Sequence, residues 1–267
     1  MVALFDKAIA ILWRDFLTGI RYRGAFVMGA AGALIEIAGL YYLSRAIGPS
    51  FRPDGMESYP FLLVGTGLYT FLLMGISSFV SAVQEAQQAG TFEVLVSTST
   101  SPALVIFLSA VSAFMGGGFT FLLYVVGGLW VAPVHLQSTT VVGCIVVMGF
   151  SLCIAAAIGI AAAAIQLTVQ KGSAVVWLLG SIAWLLTGTM FPVSSLPGWL
   201  HGLASWIPIT HALQGMRIAL LNGSAHAALG KEIAVLAGFS MLLLPISLLL
   251  FQQALRRARV NGTLSFY

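Results

Sequence analysis

Glu36 stands alone inside a long apolar run, and a carboxylate there is the most chemically loaded residue of the sequence. Placing a charged side chain at the centre of a lipid-crossing helix costs about 2.5–3.5 kcal/mol on insertion scales. Glu36 must therefore face protein or a watery path, or carry a proton. It reads either as a pathway or switch residue or as a hydrogen-bond partner of another helix. A carrier coupled to ions or protons through Glu36 is the alternative function, but it would need more intramembrane charges or an inverted repeat. No other apolar run centres on a carboxylate, lysine or histidine, and no repeat is evident. An intramembrane enzyme would need polar groups clustered at one depth, whereas Glu36, Glu85 and Glu93 fall on separate segments. His135, His201, His211 and His226 lack the spacings of zinc ligands, and no metal site is expected. Cys144 and Cys153 would lie about 13 Å apart along one helix, too far for a disulfide.

A phosphate-binding loop needs Gly-x4-Gly-Lys followed by Ser or Thr. Of the three lysines, only Lys231 follows a glycine, Gly230. Glu232 comes next, however, and Ala225 occupies the first glycine position. No nucleotide cofactor is expected on this chain. Its basic residues gather near the two ends, leaving no patch for nucleic acid.

The elements that must position these residues follow from composition. Charged residues make up 7% of the 267 and hydrophobic residues 59%, against about 25% charged in soluble domains. So few charges cannot cover a water-facing surface, so the solvent around most of the chain is lipid. The expected fold is an all-α membrane protein forming one transmembrane domain over residues 1–267. Residues 2–23 set Phe5, Ile9, Leu12, Phe16 and Ile20 on one helical face and Lys7, Arg14 and Arg21 on another, which predicts an amphipathic helix lying in the membrane interface. Asp6 and Asp15 interrupt this segment, so it is not read as a cleavable signal peptide.

Six apolar segments follow, at about 25–47, 60–83, 102–131, 138–168, 173–191 and 232–254, each long enough for the roughly 20 residues a helix needs to span. The third and fourth exceed that length, so they must tilt, bend or project. Residues 116–118, three glycines, are the expected bend in the third. Six spans put both termini on one side. That side holds Lys7, Arg14, Arg21, Arg23, Lys171, Arg256, Arg257 and Arg259, against Arg45, Arg52, Arg217 and Lys231 on the other. The bias places both termini in the cytoplasm of a multi-pass cell-membrane protein.

Two connections carry unusual sequence. Residues 192–231 are long, apolar and aromatic, and read as a re-entrant hairpin of two short helices, about 197–206 and 209–221, separated by Pro208. Backbone at membrane depth must be satisfied by protein or water, so the hairpin should pack on neighbouring spans. Residues 84–101 form a polar cytosolic connection in which Gly90 can end one helix and Thr91 cap the next. Phe92, Leu95 and Val96 give that next segment an apolar edge. It bears acids and no bases, which suits docking into a protein groove better than lying on anionic lipid. Tyr69 and Trp184 are the deepest aromatics and the candidates for lining a substrate path. Gly29, Ala33, Gly159 and Ala163, spaced by four, suit close helix contacts.

Glu85, then Gly90-Thr91-Phe92-Glu93, Leu95 and Ser101-Pro102, resembles a pattern of the membrane-spanning permeases of type 2 ATP-binding-cassette exporters. Phe191-Pro192, Leu196-Pro197 and the run from Trp206 to Leu213, with Pro208, His211 and Arg217, are similar to that family's external hairpin. The tail from Arg257 to Leu264 also resembles its C-terminus. The family usually has Leu where Phe92 stands, and the exchange keeps an apolar contact. The resemblance implies a homodimer that exports an amphipathic drug, lipid or lipid-linked glycan and is driven by two separate ATPase subunits holding ATP and Mg. It also implies that Glu85, Gly90, Thr91, Phe92, Glu93 and Leu95 form a coupling helix seated in the ATPase.

Overall fold

The computed structural model describes residues 23–88, 90, 102–132, 141–169, 171–222 and 226–261. The expected interfacial helix lies, apart from Arg23, outside the described residues, as do Thr91, Phe92, Glu93 and Leu95. All regular structure within the described residues is helical. We number the helices α1 (Arg23–Ile47), α2 (Ser58–Gln88), α3 (Pro102–Val131), α4 (Val141–Val169), α5 (Gly172–Leu186), α6 (Gly198–Ala204), α7 (Pro208–Leu221) and α8 (His226–Asn261). Short 3-10 turns at Pro53–Gly55 and Val193–Ser195 interrupt two of the connections.

Among the described residues, four helices are long and apolar enough to cross a membrane: Val27–Ile47, Ser58–Gln88, Val141–Val169 and His226–Ala258. Thr120–Val131 and Gly172–Leu186 are shorter apolar helices. Large apolar side chains cover the outside, with Met28 77% and Met241 77% exposed. Exposure on that scale around a packed interior belongs to a protein solvated by lipid, and the chain is a multi-pass membrane protein.

The interior is organised around α2 and α4. One apolar cluster joins Leu68, Leu72 and Ile76 of α2 to Val147 and Ile154 of α4, Leu213 and Met216 of α7, and Leu236 of α8. A second joins Phe79 and Val83 of α2 to Ala163 and Leu167 of α4 and Phe251 and Leu255 of α8. Gly159 lets α2 and α4 approach, because a Cβ there would meet Phe79 and the Ile76 carbonyl. Ala163 and Ala33 are buried as expected, whereas Gly29 faces open space. At the periphery, α1 packs through Ala33 and Ile37 on Tyr59, Leu63 and Tyr124.

Element ends differ from hydropathy where polar residues continue a helix or backbone chemistry stops one. Helix α2 runs past the expected end at 83 to Gln88, because the Gln84–Gln88 stretch holds good helix formers and no breaker. Gly90 then takes a left-handed φ of 64° that ordinary residues avoid. Helix α3 continues through residues 116–118, where a bend was expected. Helix α5 stops at Leu186, short of the expected 191, as Gly188 turns the chain at φ 76°. Helix α8 starts at His226 instead of 232 and carries Pro245 inside it.

The hairpin between α5 and α8 consists of α6 and α7. Pro208 opens α7 at a position whose N–H would be unpaired in any case, which is why the two short helices break where the sequence suggested. Trp199 and Trp206 are 71% and 78% exposed, as befits aromatic anchors at a membrane–water boundary. The other face of α7 is buried.

Candidate functional site

A cavity of about 570 Å³ opens between α2 and α5. Helix α2 contributes Tyr69, Thr70, Leu73, Met74, Ser77 and Ser81, and α5 contributes Ser173, Trp177, Ser181 and Trp184. The lining alternates hydroxyls with aromatic and aliphatic surface, an amphipathic wall. Tyr69 and Trp184, chosen from depth alone, both line it. Tyr69 is buried and donates its hydroxyl to the Gly180 carbonyl, tying α5 to α2 at the cavity wall. Sequence reasoning missed the serines. Their signal was present: Ser77 and Ser81 recur at i, i+4, and Ser173, Trp177, Ser181 and Trp184 recur along one face of α5.

Glu36 is not part of this cavity. It accepts a hydrogen bond from the hydroxyl of Tyr124, which joins α1 to α3. Tyr124 is buried against Gly67 of α2, where any Cβ would press on the ring. The carboxylate therefore has an interhelical partner, the structural one of the two roles its sequence position allowed.

Arg217, on the buried face of α7, closes one end of the bundle. Its guanidinium lies 3.5 Å from the centroid of the Phe61 ring. Nε and Nη2 donate to the Phe61 carbonyl at 3.3 and 3.1 Å, and Nη2 also donates to the Thr189 carbonyl at 3.0 Å. The early end of α5 has its reason here: residues beyond Leu186 leave the helix, and Thr189 offers its carbonyl sideways to the guanidinium. Gly65 makes room, since a Cβ there would run into Nη2 and the Thr189 carbonyl. Pro192 is buried beside this turn. Nearby, Ser194 donates to Asp54 at 3.2 Å, linking the loop after α1 to the segment after α5. Asp54 itself adopts a left-handed φ of 51°.

His211, one helical turn from Pro208, bridges the hairpin to α8. Nδ1 lies 2.7 Å from Glu232 Oε2, and Nε2 lies 2.9 Å from the Ser205 carbonyl. The hydrogen bond to Glu232 raises the His211 pKa above its usual value, against the opposing effect of burial.

At the opposite end of α2, Glu85 is exposed, while Gln87 is 1% exposed and buried against α4. Gln166 Nε2 donates to Gln87 Oε1 at 3.2 Å, and Gln166 Oε1 accepts the Gly172 N–H at 2.7 Å. Of the coupling candidates, only Glu85 and Gly90 fall within the described residues. Neither glutamine was singled out from sequence, because one glutamine in a polar run and another near a helix end carry no periodic signal.

The described architecture is thus a helical membrane body with an amphipathic cavity along α2 and α5, a hairpin clamped at one end and a buried amide pair at the other. A family model described as ABC-2 type transporter matches residues 3–221 of the chain. No curated protein matches it.

Proposed function

The chain belongs to the ABC-2 type transporter family, and from that premise we propose that it is the permease subunit of an ATP-driven exporter. Two copies, each crossing the cell membrane six times with both termini cytoplasmic, would enclose a path for an amphipathic drug, lipid or lipid-linked glycan. Two separate ATPase subunits would bind ATP and Mg and do the hydrolysis. The segment that begins at Gly90, with Thr91, Phe92, Glu93 and Leu95, would seat in the ATPase, with Glu85 at its approach.

The observation that carries the reading is the cavity between α2 and α5, lined by Tyr69, Trp184 and a row of serines. Its mixed lining suits a cargo with polar and apolar parts. The same two helices, α2 and α5, bound the end at which the coupling segment departs. ATP-driven closure of the ATPases would move that segment, and the walls of the groove would part outward.

Coexpression with a candidate ATPase and reconstitution into proteoliposomes tests this. The expected result is copurification of the two chains and ATP hydrolysis stimulated by an amphipathic dye or lipid. Substitution of Phe92 or Glu93 should leave basal hydrolysis and remove the stimulation. Wild-type stimulation in those variants would overturn the coupling assignment. A carrier driven by a proton gradient through Glu36 finds less support, because that carboxylate is held by Tyr124 away from the cavity.

A further inference from the structure

We propose that Gln87 and Gln166 form a mechanical relay that carries displacement of the segment after α2 to the start of α5, the groove wall. The inference rests on the exporter reading and deepens it by naming positioning residues that no motif assigns.

Orientation within the relay is set by backbone. Gly172 N–H is one of the first-turn donors of α5 that the helix itself cannot satisfy, and Lys171 before it offers no side-chain cap. Gln166 Oε1 accepts that N–H. The amide of Gln166 is thereby fixed, with its Nε2 turned to Gln87 Oε1. Gln87 in turn must present its oxygen, which leaves Gln87 Nε2 buried without a partner among the described residues. Three helices therefore meet through two side-chain amides, and one of these amides is held by a single hydrogen bond.

The two ends of the relay lie where motion would enter and leave. Gln87 sits three residues before Gly90, and the Gly90 N–H donates to its carbonyl at 3.2 Å. At the other end, the start of α5 rests directly on α4. A Cβ on Gly172 would meet Gln166 Cβ at 2.6 Å and the Ala162 carbonyl at 3.0 Å. Helix α5 shows Trp177 and Leu178 to the outside, 74% and 53% exposed, so much of its surface is free of the body. Among the described residues, its side-chain ties to that body are Gln166 at the first turn and Tyr69 at Gly180. A buried amide left half-satisfied is costly to keep. Displacing the segment beyond Gly90 swings Gln87, which through its bond to Gln166 draws the Gln166 amide and with it the Gly172 end of α5.

The test uses the full permease–ATPase complex in lipid nanodiscs, with Cys144 and Cys153 replaced by Ala and a nitroxide attached at Ser181→Cys. Trapping with ATP, Mg and vanadate should shift the α5 label in the otherwise unaltered chain. Gln87→Met keeps the side-chain volume and the Gln166–Gly172 bond but cannot accept from Gln166. It should trap nucleotide normally while the label response falls about fivefold, within the range that interrupting a coupled network gives. Gln87→Glu keeps an acceptor and should restore the response. A purely structural role would instead lower trapping and response together, and that result, or a full response in Gln87→Met, overturns the relay. Should Gln87→Met fail to assemble, Gln87→Asn shortens the same side chain and decides by the same criterion. Normal trapping with no α5 response in the unaltered chain would overturn the relay alone, whereas failure of the chain to associate with an ATPase or to trap nucleotide would overturn the exporter reading on which the relay depends.

Discussion

His211 holds Glu232 with one ring nitrogen and the Ser205 carbonyl with the other, at 2.7 and 2.9 Å. A carboxylate and a carbonyl can only accept hydrogen bonds, so the ring that satisfies both is the imidazolium. The side chains are 17% and 14% exposed, shielded enough for the pair to hold the hairpin to α8. Lys231 is the neighbouring like charge and works against the pair.

Stability should therefore depend on pH in a fixed direction. The folded pKa of His211 is raised above its unfolded value of 6.5, chiefly by Glu232. Its contribution is complete below the unfolded pKa and is lost as pH rises through the folded one. Thermal unfolding in detergent should show a loss of about 1–2 kcal/mol across that window, and His211→Gln should flatten the curve. An unchanged pH profile in that variant would show that the pair is not responsible.

Arg217→Lys should destabilise the hairpin nearly as much as Arg217→Met. An ammonium cannot lie flat on the Phe61 ring and also reach two carbonyls. The expected cost is on the order of 2–4 kcal/mol, from lost charge-assisted bonds and the Thr189 carbonyl left without its donor. Gly65→Ala should produce a comparable loss without touching the charge, because the methyl occupies the guanidinium's place. Melting temperatures of the three variants check this; a mild Gly65→Ala would contradict it.

Tyr124→Phe should cost about 1–3 kcal/mol, since it leaves Glu36 without its partner inside the membrane. Glu36→Gln retains an acceptor for the tyrosine and should be close to neutral in both stability and ATP-driven transport. Retention of transport in Glu36→Gln when the proton gradient is collapsed would separate the exporter from a proton-coupled carrier.

Ser77→Cys and Ser181→Cys, made without Cys144 and Cys153, should react with a water-soluble maleimide if the cavity admits water. Ala157→Cys, at a position 1% exposed inside the body, should not. Tyr69→Phe should loosen α5 by about 1 kcal/mol through loss of the hydroxyl's bond to the Gly180 carbonyl and increase labelling at Ser181→Cys.

Hydropathy made the long helices legible because lipid leaves few choices: 102–131 is the extent of α3, and 25–47 is nearly that of α1. Pro208 marked the break in the hairpin because proline excludes itself from a helix interior. The ends of α2 and α8 were misplaced because a polar helical extension looks like a loop when hydropathy is the guide. The cavity was half legible: depth found Tyr69 and Trp184, but serines scattered through apolar helices carry no charge or motif that singles them out. The two clamps at the ends were the least visible. Arg217 binds backbone carbonyls and Gln166 caps the helix that follows its own, and neither contact has a partner side chain whose type announces it.

Arg217 reaches across 156 residues of sequence to the carbonyl of Phe61. While the chain is being synthesised, α2 therefore enters the membrane long before its closing partner exists. Loop closure over such a separation is slow, and until it happens the guanidinium has no place inside the bundle. The buried end of α7 must therefore form late, after α2 through α5 have assembled around the vacancy left by Gly65. A chain stopped before Arg217 would have every span but α8 and would lack the lid that makes one end of the bundle solid, which makes this arginine a timer of assembly as much as a fastening.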